Sequence, residues 1–98
     1  MRHRAADTVV NMIADIRKEL SERFTVVRIG VFGSHAKGEA CPDSDVDIIV
    51  ELSEPTFDNY MDLKFKLEEI LGRRVDLVLA DTVKPRLKPV IEQEAIYA

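Results

Sequence analysis

Gly33-Ser34-His35-Ala36-Lys37-Gly38-Glu39-Ala40-Cys41-Pro42-Asp43-Ser44-Asp45-Val46-Asp47-Ile48-Ile49-Val50 is the stretch that decides how this chain folds. A Gly-Ser pair closes one apolar run, a polar loop intervenes, and two aspartates in i, i+2 spacing open the next run. Successive side chains of a β-strand alternate faces, so Asp45 and Asp47 are expected to project from one side, close enough to share a cation. Val46, Ile48, Val50 and Leu52 then form the opposite face, which is wholly apolar. Two neighbouring anions repel, and each resists ionising unless a metal or another positive group sits between them. Hard oxygen ligands of this kind suit magnesium or manganese.

Working outward, Val26 to Phe32 is a β-branched run that reads as a buried strand with Val27, Ile29 and Val31 on one face. Before it, Val9, Ile13, Ile16 and Leu20 recur at helical spacing with Met12 beside them, predicting one amphipathic helix that begins near Asp7 or Thr8. After the second strand, Ser53-Glu54-Pro55-Thr56 is a stop. Phe57, Tyr60, Met61, Lys64, Leu67, Ile70 and Leu71 then trace a helix, with Thr56 as its N-cap and Gly72 at its left-handed end. Arg73 to Leu79 predicts a third strand, with Val75, Leu77 and Leu79 sharing a face and Asp76 pointing away with Arg74 and Val78. If that strand lies beside the second, Asp76 joins Asp45 and Asp47 in a cluster of carboxylates. The C-terminal part carries Lys84, Arg86 and Lys88, a solvated basic turn, and then a terminal helix over Val90 to Tyr97 with Pro89 in its first turn.

The chain has 98 residues, enough for one domain (1–98) with a single small core and too few for two. With 46% hydrophobic and 33% charged residues it reads as a globular protein, and no apolar run approaches the roughly 20 residues that span a bilayer. Charges at Arg2, Arg4, Asp7, Asp15, Arg17 and Lys18 interrupt any signal-peptide core, so a cytoplasmic location without membrane attachment is expected. The lone cysteine, Cys41, excludes an internal disulfide and reads as incidental in its polar loop. A net charge of −4 argues against direct nucleic-acid binding, which depends on neutralising phosphates with lysine and arginine. It suits a basic protein partner instead.

The loop after Gly33 has chemistry of its own. A glycine just past a strand lets backbone amides approach a phosphate, and a serine hydroxyl adds a donor. It is not a Walker A loop, because no Gly-Lys-Ser/Thr triplet follows at the required distance. His35 reads as a surface histidine.

Taken with their spacing, Gly33-Ser34, Lys37-Gly38 and Ser44-Asp45-Val46-Asp47 resemble the signature of the minimal nucleotidyltransferases in the polymerase-β-like superfamily. Lys37 stands where that family usually has arginine and Ile48 where it commonly has leucine, and lysine cannot give the bidentate contact of a guanidinium. The resemblance implies an α/β fold, a small mixed β-sheet with helices packed on one face. It also implies transfer of a nucleotide from ATP with Mg²⁺, Mn²⁺ serving in its place. Asp45, Asp47 and Asp76 would then be the catalytic metal ligands, Asp76 corresponding to the family's third carboxylate. Gly33, Ser34, Lys37, Gly38 and Ser44 would contact the nucleotide. Relatives of this type are commonly paired with a HEPN-domain ribonuclease toxin and act as antitoxins by adenylylating a toxin tyrosine, which implies a hetero-oligomer with such a toxin. Two alternatives remain open at this level, namely an antitoxin that occludes its toxin without catalysis, and adenylylation of another protein or a small molecule.

Overall fold

The computed structural model describes residues 5–33 and 45–98. Helices α1 (Ala5–Asp15) and α2 (Arg17–Phe24) precede strands β1 (Val26–Phe32) and β2 (Val46–Leu52). Helix α3 (Phe57–Leu71) leads to β3 (Val75–Leu79), a 3₁₀ turn over Ala80–Thr82, helix α4 (Lys88–Glu94) and a two-residue strand β4 (Ile96–Tyr97). The strands form one mixed sheet in the order β3-β2-β1-β4. β1 is antiparallel to β2 and β4, and β3 is parallel to β2, so β2-α3-β3 is a crossover unit.

The apolar face anticipated for β2 is the floor of the core, with Val46, Ile48, Val50 and Leu52 all buried. Val9 and Ile13 of α1, Leu20 and Phe24 of α2 and Leu63 and Leu67 of α3 cover it together with Val75 and Leu77 of β3. Three helices thus pack on one face, as the hydrophobic patterning predicts. Leu67 has no exposed surface, and its truncation to alanine should cost about 2–5 kcal/mol by removing buried methyl groups and leaving a cavity, read as a fall in the urea midpoint. The caps of α3 also follow the sequence, since Thr56 Oγ1 accepts from the Asn59 N–H at 3.1 Å and Gly72 closes the helix at φ 64°. Among the described residues, no helix is long and apolar enough to cross a membrane.

Four details depart from the periodicity. The expected single first helix starts at Ala5, breaks at Ile16, whose N–H bonds back to Ile13 rather than four residues back, and then continues to Phe24. Val27 does not share the buried face of Ile29 and Val31. The register against β2 shifts between Val26 and Arg28, and this extra residue leaves Val27 45% exposed while Val26 and Ile29 both face the core. On α3 the core stripe runs through Leu63 and Leu67, and Phe57, expected inside, is 76% exposed. The terminal helix ends at Glu94, beyond which Ile96 and Tyr97 pair with Val31 and Gly30 as a fourth strand.

That last strand explains Gly30. A Cβ there would lie 2.9 Å from the Tyr97 ring, so only glycine lets the tyrosine lie across β1. The guanidinium of Arg28 stacks over the same ring, 4.4 Å from its centroid. Helix α4 lies on this second side of the sheet, its Lys88 and Glu92 enclosing a small cavity with Arg28, Ile49, Glu51 and Tyr97.

Candidate active site

The side of the sheet away from the main core is built in rows by strand register. Phe32 pairs with Asp47, and Asp47 pairs with Asp76 across the parallel β2-β3 ladder. The next row down holds Gly30, Ile49 and Val78. Because residues two apart on a strand share a face, the core residues Ile48 and Leu77 oblige their neighbours Asp47 and Asp76 to face the other way. Asp45 stands one residue before β2 and is exposed, Asp47 is half-buried, and Asp76 is exposed.

Phe32 is followed by Gly33, in a left-handed turn with φ 72°. A Cβ on Gly33 would overlap Asp47 Oδ2 and come within 3.2 Å of Asp47 Cγ. The Asp47 carboxylate therefore rests against the start of the Gly-Ser turn, and glycine is required there twice over, for the backbone conformation and for the room. Replacing Gly33 by alanine should cost about 1–2 kcal/mol from the backbone alone, with a further loss from the collision. In an Asp47→Ala background the second part should vanish, which a double-mutant cycle in urea measures.

Of the residues that sequence reasoning assigns to the site, Gly33, Asp45, Asp47 and Asp76 are described, and Ser34, Lys37, Gly38 and Ser44 lie outside the described residues, as do His35 and Cys41. The register brings Asp47 and Asp76 side by side and sets Gly33 next to Asp47. Among the described residues, no group of three or more His, Cys, Asp or Glu side chains is arranged to hold a metal ion. The backbone juxtaposition of Asp47 and Asp76 is nevertheless the one such a site needs. Neighbouring strands lie about 4.7–4.9 Å apart, so side-chain rotation suffices to bring the carboxylate oxygens of the paired Asp47 and Asp76 around a common cation. In donor chemistry the set fits a hard divalent ion held by a few carboxylates.

Sequence reasoning missed three residues that shape the sheet around the site. Tyr97, expected in a helix, lies across Gly30 in the row below Asp47, and the glycine inside a β-branched run was the signal for that close approach. Tyr60 of α3, read as part of a core stripe, and Glu68, which the periodicity does not single out, both bond to the backbone of β3.

The family model of the nucleotidyltransferase domain matches residues 13–98. The chain is 41% identical over 92 residues to the protein adenylyltransferase MntA of Thermococcus cleftensis, a match that covers 93% of each protein. A solved structure described as a minimal nucleotidyltransferase superposes with a TM-score of 0.74 at 38% identity, over 89% of this chain and 93% of that one. A complex of tri-AMPylated Shewanella oneidensis HEPN toxin with its MNT antitoxin matches with a TM-score of 0.66 over 94% of this chain and 70% of that chain. At 20% identity, the last likeness is one of fold.

Proposed function

This chain belongs to the nucleotidyltransferase-domain family and is a nucleotidyltransferase, and from that premise we propose that it is an antitoxin that transfers AMP from ATP to a tyrosine hydroxyl of a HEPN-domain toxin. The observation that supports the reading is the pairing of Asp47 with Asp76 on the face away from the core, with Gly33 resting against the Asp47 carboxylate. The adenylyltransferase relative and the AMPylated toxin complex supply the acceptor class.

Asp45, Asp47 and Asp76 would hold the divalent cation, Mg²⁺ or Mn²⁺, whose chemistry is to stabilise charge on the attacking and departing oxygens. The residues of the chain do the rest. Gly33 and Ser34 hold the β- and γ-phosphates through backbone amides and a hydroxyl, with Lys37 adding positive charge and Gly38 and Ser44 completing the nucleotide contacts. Asp76 takes the proton of the acceptor hydroxyl as its oxygen attacks the α-phosphorus. A new phosphorus–oxygen bond forms, the bond to the bridging oxygen of the β-phosphate breaks, and pyrophosphate leaves.

A second reading, neutralisation by occlusion alone, draws on the aromatic surface of α3, where Phe57 and Phe65 are 76% and 57% exposed. The test is to incubate the protein with labelled ATP, Mg²⁺ and the product of its neighbouring gene. Transfer predicts that the partner gains mass in AMP units and stays inactive after separation. Inhibition that ignores ATP, needs about one molecule per toxin and reverses on separation is the occlusion outcome.

A further inference from the structure

Among the described residues, β3 is an edge strand of the sheet, five residues long and paired only with β2. The Arg74 carbonyl accepts from Val46 N–H of β2, which fixes the phase of the strand. Alternate residues Arg74, Asp76 and Val78 present their backbone groups to β2, and Val75, Leu77 and Leu79 present theirs outward, where no strand lies among the described residues. Two of these outward backbone groups are nevertheless bonded by side chains. Glu68 Oε2 accepts from the Val75 N–H at 3.0 Å, and Tyr60 Oη donates to the Leu77 carbonyl at 2.5 Å. Both side chains come from α3, two helical turns apart and on the same side of it. The residues they hold are the immediate neighbours of Asp76.

We infer that Tyr60 and Glu68 are positioning residues for Asp76, holding the edge strand in the register that sets its carboxylate opposite Asp47. This rests on the proposed role of Asp76 in the reaction.

The physical need is specific. A slip of β3 by one residue would exchange its faces, driving Asp76 into the core and Leu77 out of it. A short edge strand held by one ladder is the part of a sheet most prone to local opening. Helix α3 is a rigid support for the two bonds, since Leu63 and Leu67 have no exposed surface and both ends of the helix are capped. Tyr60 itself packs against the core, so its hydroxyl is held by its ring. The two bonds also occupy outward backbone groups through which another chain could pair with this edge.

The test uses the full chain in four variants and two readouts. Tyr60→Phe removes one hydroxyl and keeps the ring, Glu68→Leu removes the acceptor, Glu68→Gln keeps an acceptor oxygen, and Asp76→Asn is the reference. The first readout is Mn²⁺ binding in the presence of a non-hydrolysable ATP analogue, followed by electron paramagnetic resonance. The second is transfer of label from ATP to the neighbouring-gene product, measured well below each variant's melting temperature. Tyr60→Phe and Glu68→Leu should each weaken Mn²⁺ binding about tenfold, the lower end of what supports behind metal ligands contribute. They should lower kcat by a similar factor with little change in KM for ATP. Glu68→Gln should stay near wild type in both.

In the Asp76→Asn background, Tyr60→Phe should still lower the melting temperature yet cause no further loss of Mn²⁺ binding or kcat. Wild-type Mn²⁺ binding and kcat in Tyr60→Phe and Glu68→Leu, with Asp76→Asn impaired, would overturn the inference and leave the role of Asp76 standing. An Asp76→Asn variant as active as wild type, with unchanged Mn²⁺ binding, would overturn that role and the inference with it.

Discussion

On the proposed function, the double substitution Asp45→Ala with Asp47→Ala should abolish protection against a HEPN-domain toxin while leaving the protein folded and still able to bind it. It removes two of the three carboxylates proposed to hold the cation, and the several kcal/mol of charge stabilisation that a bound cation gives phosphoryl-group transfer correspond to a rate loss on the order of 1,000-fold or more. The fold has little reason to respond, because Val46, Ile48 and Val50 on the opposite face of β2 are 0%, 0% and 1% exposed and are untouched by the change. Circular dichroism and the urea midpoint should therefore stay close to wild type. With wild-type protein, ATP and Mg²⁺, substoichiometric amounts should inactivate the toxin progressively. With the double variant, no amount should do so by time-dependent chemistry. A variant that protects cells as well as wild type would show that contact, through a surface such as that of Phe57 and Phe65, is the mechanism.

ATP binding should depend strongly on the divalent cation. Asp47 and Asp76 are paired across adjacent strands, with Asp45 two residues from Asp47, so the triphosphate brings four negative charges to a face that already carries carboxylates. Without a cation between them, these charges oppose association. Calorimetry with Mg²⁺ and with EDTA should therefore differ by at least about tenfold in affinity, and Asp47→Asn should weaken binding in Mg²⁺ while the protein stays folded. Equal affinity in the two buffers would sink the assignment of these residues to metal. The exposed Asp76 gives a control, since Asp76→Asn in EDTA should change stability by no more than about 0.5 kcal/mol, as surface substitutions generally do. A marked loss would mark Asp76 as a structural partner instead.

The local chemistry of this protein was legible in its residues. Alternation alone set Val46, Ile48, Val50 and Leu52 inward, and cap residues alone placed both ends of α3, because these signals act within one strand or one helical turn. The i, i+2 spacing of Asp45, just before β2, and Asp47, within it, likewise needs no distant partner to be read. What tertiary structure decided is everything that passes between elements. That Asp76 stands opposite Asp47 depends on β3 lying parallel and in register beside β2, a pairing of residues 29 positions apart that no local pattern encodes. The bulge that turns Val27 outward, the exposure of Phe57 and the conversion of Ile96 and Tyr97 from helix to strand arise in the same way. Each is settled by which neighbouring surface is available for burial or hydrogen bonding. Periodicity reports the faces of an element and not what those faces meet, so the bonds from Tyr60 and Glu68 that hold β3 were invisible until α3 and β3 were packed together.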